Sequence, residues 1–228
     1  MPIVYDPGMH QIATGLWQLS GVPRNMINVY LMEDVLIDAG TRWAAGRILR
    51  QLRGRKLSMV ALTHCHPDHQ GVAKQICERW GIPLACHEAE VTAVEGRAAM
   101  QPDNRIVRLG HRLWSGPAHR VGRILREGDE VAGFRVIHAP GHTPGHIVFF
   151  READRVLVAG DVLANINFLT GKPGLRQPPK FFSADPAQNR RSIRLLAALQ
   201  PAVVCFGHGP PLRDPALLER YASQAALR

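Results

Sequence analysis

A chain of 228 residues with 46% hydrophobic and 21% charged residues is long enough to bury a substantial core and has the make-up of an ordinary globular protein. No apolar run approaches the roughly 20 residues of a spanning helix, so no membrane partner is expected; the start Met1-Pro2-Ile3-Val4-Tyr5-Asp6 lacks basic and apolar signal regions, which sets the cytoplasm as the expected location. Net charge is +9, yet all but four of the 28 basic residues (Lys56, Lys74, Lys172, Lys180) are arginine and no basic block occurs, so nucleic acid is not expected as a partner.

In chain order, Ile12 to Leu19 reads as a strand, and Ile27 to Met32 with Val35 to Asp38 as a hairpin around Glu33-Asp34. Thr41 opens a helix on which Ala45, Ile48, Leu49 and Leu52 share one face, and Gly54 stops it. Leu57 to Thr63 is a buried strand. His69 to Trp80 is a second helix with Val72, Ile76 and Trp80 on one stripe, followed by a short strand from Pro83 to Cys86. Residues 88 to 120 have few apolar runs and are broken by Gly110, Gly116 and Pro117, so they read as a partly helical insert. Strands follow at Phe134 to His138, His146 to Phe150 and Val156 to Val158. Asp185-Pro186 opens a helix through Leu199, Pro201 to Phe206 is a strand, and Asp214-Pro215 opens a last helix. The order is that of an α/β chain, expected as one domain over 1–228. Its halves resemble each other, each with a short strand ending in a histidine-bearing loop.

The densest chemistry lies in Thr63-His64-Cys65-His66-Pro67-Asp68-His69, where three imidazoles and a carboxylate crowd one turn. His64 and His66 alternate by two and leave an extended segment on the same side, so both can reach one cation. Asp68 and His69 come where the chain turns into a helix and can serve a second. Imidazole with carboxylate suits zinc, iron or manganese. Further candidates stand beside glycines at strand ends: His142 and His146 in Gly141-His142-Thr143-Pro144-Gly145-His146, Asp161 in Gly160-Asp161, and His208 in Gly207-His208-Gly209. Cys65 points away from its histidine neighbours in an extended segment and reads as a packed thiol. With no C-x-x-C pair, Cys65, Cys77, Cys86 and Cys205 read as reduced thiols.

His64-Cys65-His66-Pro67-Asp68-His69, then His142, Asp161 and His208, with Asp38 in Leu36-Ile37-Asp38-Ala39-Gly40, resemble the metallo-β-lactamase-fold superfamily, nearest to its single-domain glyoxalase II-like members. The resemblance implies an αββα sandwich: two mixed sheets flanked by helices, with the metals at one edge. It also implies that His64, His66 and His142 bind a first zinc ion, that Asp68, His69 and His208 bind a second, and that Asp161 bridges them. A hydroxide held between the ions would then attack a small ester-like substrate, which can be anionic: a thioester, lactone or phosphodiester. Asp68 would orient the nucleophile or carry its proton. Asp38 and His146 are expected behind the ligands, and Lys172, Arg176 and Lys180 as contacts to an anionic substrate group. Two rivals share the pattern. One is a one-iron persulfide dioxygenase that uses only His64, His142 and Asp161. The other is a nuclease, for which no nucleic-acid-binding arm is visible. Oligomeric state is not legible.

Overall fold

The computed structural model describes residues 8–21 and 25–225. The N-terminal segment without signal character, Met1 to Asp6, lies outside them. Among the described residues the strands form two sheets. The first contains, in spatial order, β1 (Met9–Ala13), β2 (Leu16–Leu19), β3 (Tyr30–Met32), β4 (Val35–Ile37), β5 (Met59–Ala61), β6 (Leu84–His87) and β7 (Val121–Leu125). β1 to β4 run antiparallel, and β4 to β7 are parallel. The second contains β8 (Glu130–Val131), β9 (Phe134–His138), β10 (Ile147–Arg151), β11 (Val156–Gly160) and β12 (Val203–Phe206); only β11 and β12 pair in parallel.

Period-two alternation explains the layering. In β4, Val35 and Ile37 face the second sheet while Leu36 faces outward; in β10, Ile147 and Phe149 face the first sheet while Val148 and Phe150 face outward. Both faces of these strands are buried, which is why they read as continuous apolar runs. Outside the first sheet pack α1 (Ala45–Gln51), α3 (Ala73–Trp80), α4 (Val91–Val94) and α5 (Arg105–Trp114), through residues such as Ile48, Ile76, Val94 and Val107. Outside the second pack α6 (Pro186–Ala198) and α7 (Pro215–Ala225), through Ile193, Leu196 and Leu218. The Asp185 side chain accepts from Gln188 N–H at 2.9 Å, with Pro186 at the first helical position, so α6 starts where its capping pair predicts. The result is the αββα sandwich expected from the resemblance.

Three elements differ from the sequence reading. The single strand expected at Ile12 to Leu19 is the end of β1 and all of β2, because Gly15 at φ +69° turns the chain between them. The helix expected from His69 to Trp80 splits into α2 (Pro67–Gln70) and α3, because Gly71 N–H and Val72 N–H bond to the carbonyls of Gly40 and Ala39 (2.7 and 3.2 Å) instead of continuing the helix. The partly helical 88–120 stretch joins β6 to β7, a strand absent from the sequence reading. Parallel neighbours cannot be joined by a hairpin, so α4 and α5 form the crossover.

Candidate metal centre

The fold brings five strand ends to one edge. Asp38 follows β4; His64 and His66 follow β5, with Asp68 and His69 on α2; His142 follows β9; Asp161 follows β11; His208 follows β12. Crevices beyond the C-terminal ends of strands are where open α/β sheets bind ligands. Donor atoms gather into three overlapping groups, His64/His66/His142, His64/His69/Asp161 and Asp68/His69/His208, each with its atoms within 4.8 Å of one another. All of these residues are buried except Asp68, which is partly exposed.

Each outer hydrogen bond fixes which ring nitrogen is left over. His66 Nε2 donates to the Gln101 carbonyl at 2.8 Å, His69 Nδ1 donates to Asp38 Oδ2 at 2.8 Å, and His208 Nδ1 donates to the Met26 carbonyl. These acceptors hold a proton, so His66 Nδ1 and the Nε2 atoms of His69 and His208 are left as potential donors to an ion. His64 Nδ1 lies 3.0 Å from Thr63 Oγ1 and leaves its Nε2. Asp38 also accepts from Thr63 N–H (2.8 Å) and from the Thr63 hydroxyl, so it ties β5's end to His69.

The fit to a cation rests on unsatisfied atoms. Of the buried side-chain polar atoms without a hydrogen bond among the described residues, half are His64 Nε2, His69 Nε2, both nitrogens of His142, and Asp161 Oδ1. A buried polar atom left unpaired costs about 1–3 kcal/mol, and concentrating these five in one cluster is tolerable only where a cation satisfies them together. The electrostatics agree. Burial holds His64 and His142 well below the usual histidine range, so both stay neutral. Burial also opposes charge on His208, but the facing Asp161 and then Asp68 outweigh it and push it up to about 9. Burial would raise Asp161, yet His208 and His69 hold it well below the usual carboxylate range.

The remaining expected residues divide. His146 is buried, and its Nε2 accepts from Asp161 N–H at 3.0 Å, so that nitrogen is spent on the backbone of the Asp161 turn. Its ring stacks on His64 at 4.9 Å. Cys65 is buried and in none of the ligand groups; burial, then Glu90, pushes its thiol well up. Lys172, Arg176 and Lys180 are all exposed, and among the described residues no hydrogen bond or ion pair joins their side chains to the cluster. What the Arg176 backbone does is pair with Ala164, closing a loop whose Phe168 ring sits 5.1 Å from that of His208. Asn28 and Tyr30, which the sequence did not single out, bond to the Phe206 carbonyl at 2.8 Å each, and Asn28 also reaches the Gly209 carbonyl, so the first sheet braces the His208 loop.

Glycine at 207 is required by space: a Cβ there would lie 2.1 Å from Asp161 Oδ1 and 2.8 Å from His69 Cε1. Gly207→Ala is therefore expected to displace Asp161 and lower metal affinity about 10- to 100-fold, the range seen when supports of metal ligands are lost. Metal retained after dialysis against a competing chelator checks this; wild-type retention would contradict it.

Comparison with known proteins places this geometry. A profile described as Metallo-beta-lactamase superfamily matches residues 22–208. The probable metallo-hydrolase YflN of Bacillus subtilis (strain 168) is 33% identical, covering 84% of this chain and 84% of its own length. The metallo-beta-lactamase family protein TTHA1429 of Thermus thermophilus is 27% identical with a TM-score of 0.68, covering 95% of this chain and 81% of that one. TTHA1623, solved in a di-iron-bound form, is 31% identical with a TM-score of 0.64, covering 87% and 95%. A histidine-aspartate cluster at the strand ends of an αββα sandwich, in a chain whose sequence relatives are named probable metallo-hydrolases, leaves one assignment: this chain is an enzyme of the metallo-beta-lactamase superfamily.

Proposed function

We propose that the protein hydrolyses an acyl ester, thioester or lactone with an apolar acyl part, using two divalent ions, zinc in the first instance. In this reading His64, His66 and His142 hold one ion, Asp68, His69 and His208 the other, and Asp161 is shared. One observation carries it: Asp161 Oδ2 lies 2.9 Å from His208 Nε2, 3.5 Å from His69 Nε2 and 3.7 Å from His142 Nε2, between the two groups. A shared carboxylate would offset the repulsion between two ions, and such a pair would supply carbonyl polarisation and a nucleophile from water at neutral pH. Asp68 is the partly exposed member, with Oδ2 3.3 Å from His208 Nε2, so its carboxylate can take the proton released as the nucleophile forms and return it to the leaving group.

The rim supports an apolar acyl part. Of the ten exposed large hydrophobics among the described residues, all but Leu195 and Leu217 lie on α5 (Ile106, Leu109, Leu113, Trp114), on Trp43 bonded to the Leu113 carbonyl, or on two loop tips (Phe168, Leu169, Phe181). This apolar surface adjoins the cluster. Phe168 meets His208, Gln101 just before α5 holds His66, and Asn104 at its start bonds the Phe181 carbonyl at 2.7 Å. Arg105 and Arg112 flank the apolar stripe and suit an anionic group elsewhere on the substrate. A phosphodiester makes poor use of such a rim.

The test is a hydrolysis panel on protein of known metal content, with acyl chains of increasing length. A fully buried methylene is worth about 0.8 kcal/mol, so on a half-exposed rim kcat/KM is expected to rise about twofold per methylene. A flat series removes the apolar-chain reading. Persulfide-dependent oxygen uptake by an iron-loaded form, with no hydrolysis, would replace the hydrolase by the dioxygenase. The iron in TTHA1623 is why that form belongs in the assay.

A further inference from the structure

Glu90 lies just after β6, outside every ligand group, with 1% of its surface exposed. Its carboxylate binds two loops at once. Oε2 accepts from Cys65 N–H at 3.0 Å, the amide between His64 and His66, and Oε1 accepts from Gly145 N–H at 2.6 Å, the amide three residues after His142. Among the described residues no Lys, Arg or His pairs with it, although a buried carboxylate is costly without compensation. The two backbone amides, with the buried Cys65 thiol beside them, therefore supply its compensation, and such charge-assisted bonds to the amides are short and strong. The three side chains it fixes indirectly are close: the His64 and His66 rings are 4.7 Å apart, and His66 and His142 4.5 Å. Asp38 performs a comparable task on the other side, for His69.

We infer that Glu90 is a positioning residue that presets the His64/His66/His142 group by clamping the 64–66 and 142–146 loops through their backbone, and that it acts on that group selectively. Its selectivity for that group rests on the two-ion reading. Glutamine keeps Glu90's volume but has one acceptor oxygen and places an NH2 against one of the two amides. Aspartate keeps both oxygens and the charge but is one methylene short of spanning the loops.

The experiment measures zinc and cobalt affinity of apo-protein by calorimetry, with the cobalt absorption spectrum as a second readout. Glu90→Gln is placed on two backgrounds, His208→Ala and His142→Ala. On His208→Ala, affinity is expected to fall about 10- to 100-fold and the cobalt spectrum to change. On His142→Ala, affinity is expected to stay within about twofold of that background, since the group Glu90 presets is already broken there. Glu90→Asp is expected to reproduce the selective loss. Equal weakening on both backgrounds, or none on His208→Ala, overturns the inference, as does failure of both Glu90 variants to unfold cooperatively. A wild-type protein that takes a single ion overturns the two-ion reading instead, and the His208→Ala comparison still judges Glu90.

Discussion

Replacing Asp161 by asparagine is expected to lower kcat/KM about a thousandfold while leaving the fold intact. Asparagine matches the volume, and the Asp161 backbone N–H still reaches His146. What changes is Oδ2, the atom facing His208, His69 and His142. An amide there removes the negative charge and offers an N–H2 donor or a weaker oxygen. Several kcal/mol of transition-state stabilisation are attributed to a correctly held ion, and about 4 kcal/mol is a thousandfold in rate. The measurement is kcat/KM with metal content determined on the same sample. An asparagine variant that hydrolyses as fast as wild type would mean that Asp161 holds nothing the reaction uses.

Chelation is expected to cost the protein about 4 kcal/mol. An ion that binds the native state alone stabilises it by about that amount when free metal is a thousandfold above Kd. For a chain of this size each kcal/mol moves Tm by about 2–4 °C, so a fall of about 10 °C is expected. The cause is local: His64 Nε2, His69 Nε2, both nitrogens of His142 and Asp161 Oδ1 make no hydrogen bond among the described residues. Calorimetry before chelation, after it, and after zinc is restored checks the shift. Identical melting in all three would show that the cluster's unpaired atoms are satisfied without an ion.

The candidate ligand positions were legible because their signal is local. His64, His66, Asp68 and His69 fall within one turn, and His142, Asp161 and His208 each sit beside a glycine at the end of an apolar run. The supports were legible only in part. Asp38 and His146 belong to short patterns, whereas Glu90 bonds backbone amides 25 and 55 residues away, and a backbone partner leaves no trace in residue type. The carbonyls of Met26 and Gln101 are hidden for the same reason. β7 escaped because Gly122 and Arg123 interrupt its apolar run and it lies at the sheet's edge, where its side chains are only partly covered. Without β7 the 88–120 stretch reads as an insert, and with it as a crossover. The apolar rim escaped because Ile106, Leu109 and Leu113 fit the pattern of a buried helix face, and only the fold shows them turned to solvent.

The brace from Asn28 to the Phe206 and Gly209 carbonyls spans 178 and 181 residues, and the last strand leads into His208. That separation sets a timetable for the nascent chain. Contacts so distant close late, since the loop between them must be ordered first. As the polypeptide leaves the ribosome, His64 to His69 emerge well before His208, on the far side of that long loop. A complete cluster is therefore expected only after the second sheet has docked on the first.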